Sequence, residues 1–250
     1  MYNLLSETAR VAYGDLCFFR RHLVQVIISS MIGPLLYLVA FGYGMRTGST
    51  GSADVPYLAY VIPGIVSITT LTAGFASSSQ KILIQRLFYS SFDELILCPM
   101  HIPSIIFGKS VIGMLKGLIG AFIMLGLGCL LEPHVHITLG LLICIFFCSV
   151  TFSMLGVMAG LLAGSSPTLN MISSIVILPM TFMCGTLFSV DSLPSVIGTV
   201  IWALPLTHSS EIIRATSLGW DFPWISLLVL VAYFLVFFVI DCVIIKKKLY

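Results

Sequence analysis

The chain has 250 residues, of which 58% are hydrophobic and 9% are charged, and its formal net charge is +2. An ordinary soluble domain carries roughly 25% charged residues, so a composition this apolar excludes a water-facing surface over much of the chain. The one basic run, at residues 246–248, gives no reason to expect a nucleic-acid partner. Seven cysteines without a CxxC pair indicate neither a disulfide framework nor a zinc site.

The first predicted element is an amphipathic helix over residues 1–21. Glu7, Arg10 and Arg20 fall away from the apolar positions on a helical wheel. A segment this polar does not match a signal peptide, so we expect it to lie on the membrane surface. The apolar positions are Leu5, Ala9, Ala12, Leu16 and Phe19.

Six apolar segments then predict six transmembrane helices, because each is close to the roughly 20 residues that a spanning helix needs. Pro34 in the first and Pro63 in the second should kink these helices. The predicted spans are 23–44, 57–79, 111–131, 137–163, 168–188 and 225–245. The longest charged connection, 80–103, joins the second and third spans. The sequence therefore predicts an all-α integral membrane protein in which residues 1–250 form one transmembrane domain.

The segment 189–224 interrupts this pattern. Its apolar piece, SVIGTVIWAL, has too few residues to cross a bilayer and is closed by Pro205. A second short helical piece, HSSEIIRATS, follows it. We predict a re-entrant helical hairpin on the outward side, with Pro205, Glu211 and Arg214 as candidates for an outward gate. Glu211 and Arg214 are three residues apart, so they could pair.

The distribution of Lys and Arg predicts the orientation. If both termini and the 80–103 connection are cytoplasmic, ten of the twelve basic residues lie inside and only Arg46 and Arg214 lie outside. The inverse topology would place the ten outside. We therefore expect a multi-pass protein of the cell (inner) membrane with both termini in the cytoplasm.

Two motifs that could carry chemistry are incomplete. Gly108-Lys109-Ser110 resembles the end of a phosphate-binding loop, but Pro103 occupies the position of the required first glycine. Nucleotide binding by this chain is therefore not expected. Glu132, His134 and His136 could suggest a metal site, but this spacing is common in solvated turns, and we assign no metal.

Glycines recur four residues apart in two predicted spans, as Gly113 and Gly117 and as Gly156, Gly160 and Gly164. Such steps let helix backbones approach closely. Packing within one subunit is the favoured interpretation, and a dimer seam is the alternative.

The spans contain very few ionisable groups. Only Lys116 and Asp241 fall within them, which argues against an ion-coupled secondary transporter or channel. A membrane-embedded enzyme, the other alternative, would need His, Asp or Glu residues that converge at one depth. Lys116 shares a helix face with Lys109, and both are candidates for a substrate entrance. Lys116 could instead extend to the headgroups or pair with Asp241.

Three passages resemble the type 2 ATP-binding-cassette exporter permeases, especially those for nodulation lipo-oligosaccharides and drugs. They are IGPLLYLVAFGYGM through YLAYVIPGI, then FDELILCPMHIPSIIFGK, then LPMTFMCGTLFSVDSLPSVIGTVIWALPLTHSSEIIRATSLG. The resemblance covers essentially the whole chain. It implies a homodimer or heterodimer of permeases in the membrane lipid, bound to a separate ABC ATPase subunit. ATP and Mg would then be bound by that partner, with no cofactor in this chain.

The resemblance also implies roles for particular residues. The 80–103 connection would hold the segment that couples to the ATPase. The coupling residues would be Arg86, Phe92, Asp93, Glu94 and Leu95. The function implied is ATP-driven export of an amphipathic substrate, such as a lipid-linked saccharide, a lipid or a hydrophobic drug, from the cytoplasm or inner leaflet.

Overall fold

The computed structural model describes residues 4–21, 23–44, 57–131, 137–183 and 195–249, and this part of the chain is helical throughout with no strand. The ten helices are α1 (Leu4–Arg21), α2 (Leu23–Gly44), α3 (Tyr57–Leu87), α4 (Ser91–Leu97), α5 (Ile102–Leu131), α6 (Leu139–Leu162), α7 (Ser166–Met183), α8 (Ser195–Trp202), α9 (Pro205–Leu218) and α10 (Trp224–Leu249). Glu132, His134 and His136, the loop 46–54 and the start of the predicted hairpin lie outside the described residues.

Four of these helices are long and apolar enough to cross a membrane, which confirms the all-α membrane architecture. They cover Leu58–Leu87, Ile102–Leu131, Leu139–Leu162 and Trp224–Lys247. A shorter apolar helix covers Ser166–Phe182, at the predicted fifth span. A count of six spans remains a prediction, as does the membrane placement of the hairpin.

Two helices extend beyond their predicted spans. α3 continues to Leu87 instead of ending at residue 79, and α5 begins at Ile102 instead of residue 111. The reason is packing, because Ile82 and Leu83 are 1% and 3% exposed although polar residues precede them. Sequence hydropathy marks the membrane boundary, whereas the helix ends where its buried contacts end.

The core of the bundle is a close contact of α3 with α5 and α6. A Cβ atom on Gly113 would lie 2.0 Å from the Ser78 Oγ, and one on Gly156 would lie 2.5 Å from the Phe75 carbonyl oxygen. The glycine steps therefore serve packing within one subunit, as favoured above. Gly164 does not take part, since a Cβ there would meet nothing within 4 Å.

Buried hydroxyls complete this contact. The Ser78 and Ser153 hydroxyls are 2.7 Å apart, and Ser153 Oγ also donates to the Ser110 carbonyl oxygen. Ser149 Oγ donates to the Met114 carbonyl oxygen at 2.8 Å. Each serine thus satisfies its own hydroxyl while linking two helices, which is the usual way that polar side chains join helices in a membrane.

The bundle has two distinct ends. At the α4 end, defined by α4 and the first turns of α5, α1 runs beside α5. At the α9 end, α9 packs against the start of α3 and against α10. The aromatic contacts of Phe107 with Phe234 and Phe238 place the last turns of α10 at the α4 end.

The α1 helix turns a mixed stripe toward the bundle. Glu7, Val11, Asp15 and Phe19 are buried, whereas Leu5 is 83% exposed. The exposed apolar side of α1 agrees with the predicted amphipathic helix, except that Phe19, one of the predicted apolar positions, lies on the buried side. The four buried positions recur every four residues and face α5, so the two carboxylates of this stripe point into the protein.

Candidate functional site

Four of the five predicted coupling residues lie together on the short helix α4. Phe92 is 1% exposed and anchors α4 in the core, and Leu95 is partly buried against the same core. Asp93 and Glu94 lie in the first turn and are exposed. Ser90, which precedes α4, has a φ of 50°, a left-handed conformation that sets the sharp turn out of α3. The two carboxylates are therefore exposed at the α4 end, on a helix whose opposite side is packed against the core.

Arg86 occupies a different environment from the other coupling candidates. Its Nη1 donates to the carbonyl oxygens of Gly160 at 2.8 Å, Leu161 at 2.6 Å and Ala163 at 3.3 Å. These carbonyl oxygens lie in the last turn of α6 and at its C-cap, where a helix leaves carbonyls without intrahelical donors and a positive charge offsets the helix dipole. The side chain therefore joins α3 to α6 within the bundle instead of extending outward with Asp93 and Glu94.

Lys109, predicted to lie at a substrate entrance, is 7% exposed and engaged in an ion pair. Its Nζ lies 3.2 Å from the Asp15 Oδ2, and the Nζ of Lys81 lies 3.4 Å from the Asp15 Oδ1. Gln85 Nε2 donates to the same Asp15 oxygen at 3.1 Å. One carboxylate of α1 thus holds groups from both α3 and α5, and we name Asp15, Lys81, Gln85 and Lys109 the Asp15 cluster.

Sequence reasoning missed Asp15 and Glu7 as functional positions. Glu7 is 4% exposed and accepts hydrogen bonds from the His101 backbone N–H at 3.0 Å and from the His101 ring, whose Nδ1 lies 3.1 Å away. The backbone hydrogen bond lowers the pKa of Glu7 and outweighs the opposing effect of burial. The four-residue spacing of Glu7, Val11, Asp15 and Phe19 was the signal that could have revealed this buried face.

Lys116 is half-buried and borders two adjoining cavities, of 300 Å³ and 150 Å³. Both cavities are also lined by Ser77 and Gln80 of α3. Among the described residues, no hydrogen bond or ion pair reaches the Lys116 ammonium group. We name the two cavities together the Lys116 cleft. Its other polar lining residues are Ser30, Thr69, Thr72 and Lys81, and its apolar ones include Phe19, Val26, Ile84 and Ile112.

Asp241 is fully buried in α10, and neither carboxylate oxygen has a hydrogen-bond partner among the described residues. The considered pair between Asp241 and Lys116 is therefore not formed. A buried carboxyl group without a partner is costly in its charged form.

The gate candidates lie on α9 at the opposite end of the bundle. Pro205 is buried in the first turn of α9, a position where its missing N–H costs no hydrogen bond. The Arg214 guanidinium lies 3.6 Å from the centre of the Tyr60 ring, and its Nε donates to the Tyr60 carbonyl oxygen at 3.3 Å. Glu211 accepts a hydrogen bond from Ser226 instead. The contacts described for both side chains thus reach neighbouring helices, and the pair of Glu211 with Arg214 remains a prediction.

The break between α8 and α9 is stabilised by side chains that bind its free carbonyl oxygens. Thr207 Oγ1 donates to Ile201, the His208 Nε2 lies 2.8 Å from the Trp202 oxygen, and the Tyr233 hydroxyl donates to Ala203. The backbone at this break is therefore satisfied without water. Such satisfaction is required of irregular backbone at membrane depth.

A polar chain of His208, Ser226 and Glu211 lies close to this break. It does not match a catalytic triad, because the serine lies between the other two and donates to the carboxylate. His208 is also fully buried. We interpret these three hydrogen-bonded side chains as structural, and they give no support to a membrane-embedded enzyme.

Four described helices that are long and apolar enough to span a membrane define a polytopic membrane protein. The family model for ABC-2 type transporters matches residues 14–218, and the chain belongs to this family. The Inner membrane transport permease YadH of Escherichia coli (strain K12) is 23% identical over 228 residues, which cover 90% of this chain and 88% of that protein. Nodulation protein J of Rhizobium leguminosarum bv. viciae is 26% identical over 227 residues, covering 89% and 87%. Nodulation protein J of Rhizobium meliloti (strain 1021) is 27% identical over 195 residues, covering 77% and 74%.

Proposed function

We propose that this chain is the membrane subunit of an ATP-driven exporter whose ATPase is a separate protein. The observation that carries the proposal is α4, a short helix anchored by Phe92 with Asp93 and Glu94 exposed. It lies between α3 and α5, which pack against each other in the core, so a partner that moves α4 would move the bundle. Two copies, identical or different, would each receive one ATPase subunit.

The ATPase would bring both ATP and Mg, and α4 would dock against its surface. In this arrangement the α4 end faces the cytoplasm, with both termini on the same side, in the inner membrane. The bias of basic residues toward this end supports the orientation. The hairpin of α8 and α9 would then lie at the outward side and close the exit, with its backbone satisfied by Thr207, His208 and Tyr233.

The cargo would be an amphipathic molecule, such as a lipid-linked saccharide, a lipid or a hydrophobic drug. It would enter from the cytoplasm or inner leaflet and leave between two permease copies. The resemblance of the sequence to permeases for nodulation lipo-oligosaccharides favours a saccharide with a lipid part, and the similarity to proteins named Nodulation protein J agrees with it. The few charged residues of the spans suit the apolar body of such a molecule.

Co-purification with a native partner tests the assembly. The wild-type chain should bring down an ATPase subunit, and the Asp93→Lys, Glu94→Lys double variant should retain much less of it at equal expression. Lys246→Glu plus Lys247→Glu reverses two exposed charges elsewhere at the same end and should retain the partner. Equal retention by all three proteins, or loss in the control alone, would contradict docking through α4.

Ion-coupled transport is the second candidate, favoured by the buried and unpartnered Asp241. Transport into vesicles that contain this chain alone, driven by a proton gradient without ATP and abolished in Asp241→Asn, would support it. ATP-dependent transport that requires the partner subunit and persists in Asp241→Asn would exclude it.

A further inference from the structure

The Lys116 cleft combines a cation, hydroxyl groups and an apolar wall in one place. Lys116 lies about 22 Å from the far end of α5, given 15 further residues at 1.5 Å each. If that end marks one boundary of a hydrocarbon core of about 30 Å, the Lys116 Cα lies about 8 Å inside the other boundary. An ammonium group near this depth is expensive unless something compensates for it.

Extension toward the headgroups does not supply the missing compensation. Lys109 and Lys81 lie in that direction, and the charge of Lys81 acts repulsively on Lys116. The single carboxylate of Asp15 is already shared by these two lysines. Among the described residues of the cleft and the Asp15 cluster there are three lysines and one aspartate, and Lys116 contacts no carboxylate. A bound anion would therefore stabilise the positive charge of Lys116.

The lining of the cleft indicates the kind of anion. The cavity of 300 Å³ places Ser77, Gln80 and Thr72 beside Lys116, so polar groups surround the position where a head group would lie. The cavity of 150 Å³ places Phe19, Val26 and Ile112 on its other side. A water molecule takes about 30 Å³ of liquid, so the larger cavity has room for a phosphate-sized group.

We propose that the Lys116 cleft binds an amphiphile with one phosphate or carboxylate head group, its head against Lys116 and its alkyl chain along α1, α2 and α5. Its role in transport rests on the proposed exporter function, whereas binding itself does not. Two sources carry this chemistry, an anionic lipid of the inner leaflet and an anionic transported molecule.

Binding is measured on the purified full chain without any ATPase, in a neutral maltoside detergent, by native mass spectrometry. Dodecyl phosphate is the probe, and dodecylphosphocholine and inorganic phosphate are the comparators. The wild-type chain should bind dodecyl phosphate at least tenfold more tightly than either comparator. A charge-assisted contact supplies a difference of this size.

Four variants locate the site. Lys116→Met should lose at least tenfold in affinity, and Lys116→Arg should stay within about threefold of wild type. Ser77→Leu keeps the charge but fills the junction of the two cavities, so it should also lose binding. Lys246→Met removes an equal charge at an exposed position and should bind normally. Lys116→Met should fold, because it removes an unpaired cation, and its melting temperature should equal or exceed that of wild type.

The sources are separated in the assembled complex. Stimulation of ATP hydrolysis by dodecyl phosphate, lost in Lys116→Met, would identify the cleft as a cargo site. A higher melting temperature without stimulation would identify a lipid site, and both results sustain the proposal. Equal binding of dodecyl phosphate by wild type and Lys116→Met, or no preference over dodecylphosphocholine, would overturn it. Failure to find an ATPase partner would remove the exporter function and leave the binding result intact.

Discussion

The guanidinium of Arg86 holds the carbonyl oxygen of Leu161 at 2.6 Å, although 75 residues separate the two in sequence. Arg86 is close to the end of α3, directly before the turn into α4, and Leu161 is close to the end of α6. The hydrogen bond therefore connects the helix that precedes α4 with the turn that leads into α7.

Arg86→Ala should destabilise the bundle by about 1–3 kcal/mol, because it leaves carbonyl oxygens of α6 without their donor. We also expect ATP hydrolysis to lose its dependence on substrate in the assembled complex. Thermal unfolding and transport assays check the two effects separately. Arg20→Ala, which removes an exposed arginine of α1, is the matched control and should change neither. Normal coupled transport in a stably folded Arg86→Ala complex would contradict the role of this link.

Gly113→Ala should abolish folding or shift the core severely. Its Cβ would lie 2.0 Å from the Ser78 Oγ and 2.5 Å from the Gly74 carbonyl oxygen, and the backbone atom cannot move away cheaply. Gly126→Ala in the same helix is the control, since a Cβ there meets nothing within 4 Å. That variant should fold normally, with a gain of up to about 1 kcal/mol from helix propensity. Size-exclusion profiles and melting temperatures distinguish the outcomes, and a normal Gly113→Ala protein would show that α3 and α5 are further apart than described.

The attachment of α1 to α5 should weaken in acid. The folded-state pKa of Glu7 is lowered by the His101 backbone hydrogen bond, so its stabilising contribution is present above the unfolded-state pKa. The contribution is lost as the pH falls through the lowered folded-state pKa. Proteolytic release of α1 should therefore increase below about pH 4, near the ordinary range of a glutamate carboxyl group. Glu7→Gln should already show faster release at pH 7, whereas Glu94→Gln, at an exposed position, should behave as wild type.

Tyr233→Phe should destabilise the break between α8 and α9, because it removes the donor to the Ala203 carbonyl oxygen. A loss of about 1–3 kcal/mol is expected if the carbonyl lies in hydrocarbon, where water cannot replace the hydroxyl. A loss near zero would indicate that water reaches the break and would argue against a re-entrant hairpin. Tyr13→Phe is the control, because the Tyr13 side chain is 67% exposed.

The sequence predicted those parts of the fold that depend on composition and spacing. Hydropathy located the long helices, and the spacing of Gly113, Gly156 and Gly160 correctly indicated close packing within the chain. Hydropathy placed the end of α3 too early and the start of α5 too late, because contacts between helices carry residues such as Ile82 and Ile105 into the core beyond the apolar stretches.

The candidate site was less predictable, because its contacts join residues distant in sequence. Phe92, Asp93 and Glu94 were placed together since they are adjacent along the chain. The pair of Lys109 with Asp15 spans 94 residues, and no local pattern indicates it. The contacts described for Glu211 and Arg214 likewise reach beyond their own helix, to Ser226 and to Tyr60.

The Asp15 cluster has a mechanical consequence. By tying α1 to both α3 and α5, it joins three helices at the end where α4 lies, so that in the proposed exporter a push on α4 would move these helices together. α3 contains 31 residues and is therefore about 46 Å long. A rotation of about 10° around its α4 end would displace the opposite end by about 8 Å, as follows from that length. That end contains Tyr60, on which Arg214 is stacked. A small rotation at the α4 end would therefore produce a larger displacement at the α9 end.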